Sequence, residues 1–114
     1  MKKTKMLKKN YEFSNILSKG TYYSGKQIEL FIKMNKDRAN YLGLAIGVKT
    51  GKAYQRNRVK RVIREVYKEA EESLKDGVSM VILIKKNISI SEITYKQIKE
   101  DMHQICKKAK IIEE

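Results

Sequence analysis

At 114 residues the chain can hold one domain and one modest core, because folding at this size buries only about two-thirds of the surface the unfolded chain exposes. Its 26 Lys+Arg against 13 Asp+Glu give a formal charge of +13, which selects a polyanionic partner: DNA, RNA or an anionic membrane. One cysteine, Cys106, and one histidine, His103, exclude an intrachain disulfide and a thiolate zinc cage.

Residues 1–9 are rich in lysine, with Met6 and Leu7 the only apolar residues after the initiator. They read as a basic, flexible arm ahead of a single domain over residues 10–114. Lys2, Lys3 and Lys5 are not followed by an apolar stretch, so no secretory signal peptide is expected. The interior apolar run Met80 to Ile84 is far short of the ~20 residues a membrane span needs, and a cytoplasmic protein is expected.

Asn10 is placed to cap a first helix whose apolar face is Phe13, Ile16 and Leu17, with Gly20 ending it after about nine residues. From Ile28 the pattern alternates: Ile28, Leu30, Ile32 and Met34 face one way, Glu29, Phe31 and Lys33 the other. Phe31 is thus an aromatic on the polar face, fit either to pack under the first helix or to stack on an unpaired base. Beyond the polar turn 35–40, Leu42, Leu44, Ile46 and Val48 alternate with Gly43, Ala45 and Gly47, so one face is bulky and the other nearly bare. A bare face admits a close backbone or ligand, or simply a packed helix.

Residues 49–64, KTGKAYQRNRVKRVIR, carry Lys49, Lys52, Arg56, Arg58, Lys60, Arg61 and Arg64 without one acid. The periodicity is helical, with Val59, Val62, Ile63, Val66, Tyr67, Ala70 and Leu74 on a core stripe. Lys60, Arg61, Arg64 and Lys68 fall together on one flank of it, and Arg56, Asn57 and Arg58 stand near the helix start. The order of charges opposes the helix dipole: cations crowd the first half, and Glu65, Glu69, Glu71, Glu72 and Asp76 follow. Free N–H groups, the positive dipole end and several guanidinium forks therefore converge where a polyphosphate would lie.

Val78–Ile84 is apolar throughout and reads as a central strand covered on both faces. Thr94 with Gln97 has the spacing of a helix cap, and Ile98, Met102, Ile105 and Ala109 make the inner face of a last helix with Lys96, Lys99, Lys107 and Lys108 outside. His103 and Cys106 belong to that helix as surface and core residues, not as a catalytic pair. The expected fold is α+β, in the order αβββαβα: a mixed sheet of about four strands with three helices.

The run RNRVKRVIRE after the turn TGKA resembles the RNR signature of the bacterial ribonuclease P protein family, and LKKNYEFSNILSKGTYYSG is similar to that family's first helix and following turn. The resemblance implies a fold like a ribosomal-protein domain with a left-handed βαβ crossover. It implies that the protein binds a large catalytic RNA subunit as a monomer within the ribonucleoprotein, with no protein nucleophile and with Mg²⁺ held through the RNA. It also implies that a cleft between the first helix and the sheet takes the 5′ leader of precursor tRNA. On this resemblance Arg56, Asn57, Arg58, Lys60, Arg61 and Arg64, with Lys49 before them, fall in the RNA-binding block, and Phe13, Leu17 and Phe31 fall in the leader cleft. Family members often have an aromatic where this chain has Leu17, which implies less stacking there. The alternative from the charge alone is a generic RNA-binding or ribosome-associated protein.

Overall fold

The computed structural model describes residues 3–113; Met1 and Lys2 of the expected arm lie outside the described residues. Helix α1 spans Asn10–Lys19, strand β2 Thr21–Ser24, β3 Ile28–Met34, β4 Asn40–Ala45, helix α2 Ala53–Glu71, β5 Val78–Ile84 and α3 Tyr95–Lys108. The arm contributes more than the sequence suggests, since Thr4–Met6 form a first strand, β1, parallel to β4. Alternation of Thr4 and Met6 inward against Lys5 outward is too short a pattern to read. What holds it is tertiary: the Thr4 hydroxyl pairs with the buried Tyr67 hydroxyl at 2.8 Å. Burial pushes that phenol up to about 12.

The five strands lie in the order β1-β4-β5-β3-β2, so β5 is central, parallel to β4 and antiparallel to β3. Its uninterrupted apolar sequence follows from coverage on both faces. On one face Ile28, Leu30, Ile32, Leu42, Met80 and Ile82 meet Val59, Ile63 and Val66 of α2 and Ile98, Met102 and Ile105 of α3. On the other, α1 covers a smaller cluster of Leu7, Ile16 and Val81. Each fully buried side chain of this size contributes about 1.5–3 kcal/mol, so the α2–α3 face supplies most of the apolar stabilisation.

Register sets the α1 face in rows across the sheet. Tyr22, Phe31, Val81 and Gly43 form one; Ser24, Glu29, Leu83 and Ala45 form the next toward the ends of β4 and β5. The bare face expected around Gly43 is filled by a helix side chain: a Cβ at Gly43 would sit 2.5 Å from the Phe13 ring. Gly20 ends α1 for a related reason and not by a left-handed turn, since its φ is −77° and a Cβ there would meet the Ile16 carbonyl at 2.6 Å. The cap at the other end is Lys9, one residue earlier than expected, with Glu12 accepting the Lys9 and Lys8 N–H groups. Those two bonds hold the Glu12 carboxyl below its usual range.

Two expected core positions are corrected. The fourth strand stops at Ala45, so Val48 lies in a 3-10 turn with its side chain 78% exposed, and Met34 closes β3 on the surface. Both sit at strand ends, where period-two reading overruns into turn backbone. Thr94 caps α3 as expected, its hydroxyl accepting from Gln97 N–H at 3.2 Å. Cys106 is buried, which pushes its thiol up to about 12 and keeps it protonated at neutral pH, while His103 is exposed. No helix among the described residues is long and apolar enough to cross a membrane.

Candidate nucleic-acid interface

Helix α2 follows the carboxyl end of β4 after a 3-10 turn over Val48–Thr50, and its Arg58 reaches the Ile90 and Ile93 carbonyls beyond the carboxyl end of β5, which puts its first turns at that end of the sheet. The N-cap is Lys52, whose side chain has no acceptor for the first-turn N–H groups. Gln55 closes the cap from the other direction by accepting the Lys52 N–H at 2.9 Å. The N–H groups of the first turn are therefore left to solvent or to an anion.

The basic residues separate into two kinds. Arg56 donates to the carbonyls of Gly51 at 2.7 Å and Val48 at 3.3 Å, tying the turn before the helix to its first coil. Arg58 donates to the carbonyls of Ile90 at 3.1 Å and Ile93 at 3.3 Å, and so braces the loop that leads into α3. These acceptors are neutral, so both guanidinium charges stay uncompensated. Lys60, Arg61 and Arg64 have no ion pair or hydrogen bond among the described residues, and Asn57, Arg61 and Arg64 are exposed. Lys49 is exposed in the 3-10 turn.

The acids of the second half of α2 do not neutralise this block. Glu69 takes the Tyr95 hydroxyl and pairs with Lys99 at 3.7 Å, and Glu71 is buried and accepts the Lys3 N–H at 3.3 Å. A cationic field of this kind, set at a helix start and facing water, attracts phosphate without fixing base identity.

Phe13, Leu17 and Phe31 do come together. All three are half-buried around Leu7, Ile16 and Val81, with Ala45 and Leu83 beside them. Phe31 thus packs under α1 and also keeps an open edge. Tyr22, its cross-strand partner, lies against it with ring centroids 5.2 Å apart at 54° and remains 48% exposed. The Tyr22 hydroxyl donates to the Glu29 carboxylate, which raises the phenol pKa. Tyr22, with Tyr11 and Tyr23 one of three tyrosines that could make up for Leu17, is the one the sequence could not place, because only the hairpin register puts it beside Phe31.

The open groove beside α1 is a different feature. It has a volume of about 680 Å³ and lies on the other flank of the helix, along Tyr11, Asn15, Ser18, Lys33 and Tyr41. Lys33 donates to the Asn15 side chain at 2.8 Å, and Tyr41 donates to Asp37 at 2.6 Å. That hydroxyl, with the Ala39 N–H, lowers the Asp37 carboxyl. Phe13, Leu17 and Phe31 do not line this groove. They gather over the row Tyr22, Phe31, Val81 and Gly43, with Leu83 and Ala45 of the next row beside them, toward the end of the sheet where β4 and β5 finish.

A mixed sheet with a lone helix on one face and an uncompensated basic helix on the other defines a small, basic α+β protein built to meet a polyanion. The sequence profile of the family described as Ribonuclease P matches residues 1–110. The ribonuclease P protein component of Fusobacterium nucleatum is 36% identical over 108 residues, covering 93% of this chain and 97% of that protein. That of Halalkalibacterium halodurans is 33% identical over 114 residues, covering 99% and 94%. The chain belongs to the ribonuclease P protein family. The fold agrees: the Staphylococcus aureus RNase P protein superposes with a TM-score of 0.78 at 26% identity, over 94% of this chain and 96% of that one. The Thermotoga maritima protein, at 22% identity, shares the fold with a TM-score of 0.79 over 91% and 96%.

Proposed function

We propose that the chain is the protein subunit of a ribonuclease P ribonucleoprotein, binding a catalytic RNA subunit and the 5′ leader of precursor tRNA during 5′ maturation in the cytoplasm. The observation that carries this reading is that the unneutralised cations of α2 and the half-exposed Phe13, Leu17, Phe31 and Tyr22 surface stand at the same end of one sheet. A strand crossing from the cations to the aromatics would meet phosphate contacts first and stacking contacts next. Neither type reads base identity strongly, which suits a leader of variable sequence.

In this proposal Lys60, Arg61 and Arg64, with Lys49 and the helix start, take phosphates of the RNA subunit. Arg56 and Arg58 contribute charge while bracing the turns around them, and Asn57 offers donors at the same face. Tyr22 supplies the stacking area that Leu17 lacks. In this proposal Mg²⁺ is held by RNA phosphates, a hard cation on oxygen ligands. There it would supply charge neutralisation and an activated water for phosphodiester hydrolysis. The protein's part is to lower the repulsion between two polyanions and so the Mg²⁺ they require.

Reconstitution with a bacterial ribonuclease P RNA at low Mg²⁺ tests the reading: the protein should speed 5′ maturation of a precursor tRNA, and failure to stimulate at any Mg²⁺ level would reject it. Phe31→Ala and Tyr22→Ala should each weaken binding of leader-bearing precursor by about 1–3 kcal/mol per lost stack while leaving mature tRNA nearly unaffected. Equal losses on precursor and mature tRNA would take both residues out of the leader site and favour a generic RNA binder.

A further inference from the structure

The chain has seven tyrosines, and six have a place in the folded protein. Tyr67 is buried against Thr4, and Tyr23 packs on the main core. Tyr22, Tyr41 and Tyr95 give their hydroxyls to Glu29, Asp37 and Glu69. Tyr11 lies under the Lys9 ammonium at 5.8 Å. Tyr54 has none of these. It is 68% exposed on the first turn of α2, with no hydrogen bond, ring contact or cation over its face among the described residues.

Folding gains nothing from it. Tyrosine is a middling helix former, and the first turn rewards Asp, Glu, Ser or Thr. An aromatic ring left in water there forgoes its burial energy. Its neighbours are specific, however. On the helix surface Asn57 and Arg58, three and four residues on, stand about 5–6 Å away, and Arg61 lies two turns below on the same stripe. The core residues Val59 and Ile63 point to the opposite side. The ring thus rises from the middle of the cationic block, beside donors that can take the phosphate of the same nucleotide.

We propose that Tyr54 is a stacking platform for an unpaired base of the RNA that lies along α2. This rests on the RNA-binding reading above and adds to it a contact with a base where the cations contact only phosphate. A ring face stacks on any base, so the contact favours single-stranded RNA at this point over a duplex, whose bases are already stacked.

The sequence contains no tryptophan, so Tyr54→Trp places a single indole fluorophore at the site. On titration of that variant with refolded bacterial ribonuclease P RNA, the indole emission should be quenched at saturation, and inorganic polyphosphate, which carries charge without bases, should leave it unchanged. Affinity should fall about tenfold in Tyr54→Ala and be retained in Tyr54→Phe and Tyr54→Trp. The dependence of log affinity on log salt should have the same slope in all four proteins, because no phosphate contact is lost. Unquenched emission at saturation, or Tyr54→Ala binding as tightly as the parent, would overturn the stacking role while leaving phosphate binding intact. A Tyr54→Phe loss equal to that of Tyr54→Ala would overturn it too, by assigning the contact to the hydroxyl. If the unaltered protein shows no salt-dependent binding of this RNA, the RNA-binding reading falls, and the Tyr54 proposal falls with it.

Discussion

Asp101→Ala should cost about 3–5 kcal/mol of stability, the largest loss expected from any single polar side chain in the fold. The carboxylate is 2% exposed and lies at the second turn of α3. It accepts the Lys26 N–H at 3.0 Å, the Gln27 N–H at 2.8 Å and the Ile28 N–H at 3.2 Å, and the Gln97 side-chain amide adds a fourth bond at 2.9 Å. One side chain therefore closes the turn between β2 and β3 and fastens it to α3. Charge-assisted bonds contribute about 1.5–3 kcal/mol apiece and are not additive, and their removal takes this acceptor from one buried and two partly buried N–H groups. Asp101→Asn should lose less, since one oxygen remains, but its amide then faces donors. At this chain length the alanine variant should unfold roughly 10–25 °C lower, followed by circular dichroism. A loss below about 1 kcal/mol would show that the turn holds itself.

The second large effect is on binding. In the proposed complex, Arg61→Ala with Arg64→Ala should reduce the salt slope of RNA affinity by about two and the affinity at fixed salt by one to two decades. Stability should change by no more than about 0.5 kcal/mol, because neither guanidinium has an internal partner among the described residues. Arg58→Ala should behave differently. Its loss frees the Ile90 and Ile93 carbonyls, so about 1–3 kcal/mol of stability goes along with the affinity. Filter binding from 50 to 400 mM salt, paired with urea unfolding, separates the two patterns. An unchanged slope in the double variant would remove these arginines from the phosphate contact.

The helices and the central strand were legible because each is dictated by local periodicity. Val59, Ile63 and Val66 recur at helical spacing, and Val78 to Ile84 has no polar residue other than Ser79. Strand β1 was not, since three residues carry no pattern and its pairing with β4 bridges 36 positions in the chain. The basic block was plain from charge alone, but the division of labour within it was not. Arg58 and Arg61 look alike in sequence, and only the fold brings the Ile90 and Ile93 carbonyls to one of them. The aromatic flank was half legible for the same reason: Phe31 stands out as an aromatic on a polar face, whereas Tyr22 needs the hairpin register to be placed.

The central position of β5 bears on how the protein is made. It is the last strand to leave the ribosome, yet β3 and β4 both hydrogen-bond to it, and only the β2–β3 pair is joined by a short turn. Translation delivers residues at about 5–20 per second, so for a second or more Lys49 to Arg64 are outside the exit tunnel before the strand that joins the two halves of the sheet. The nascent polypeptide therefore exposes its densest run of positive charge before the central strand is there to fix the helix that carries it.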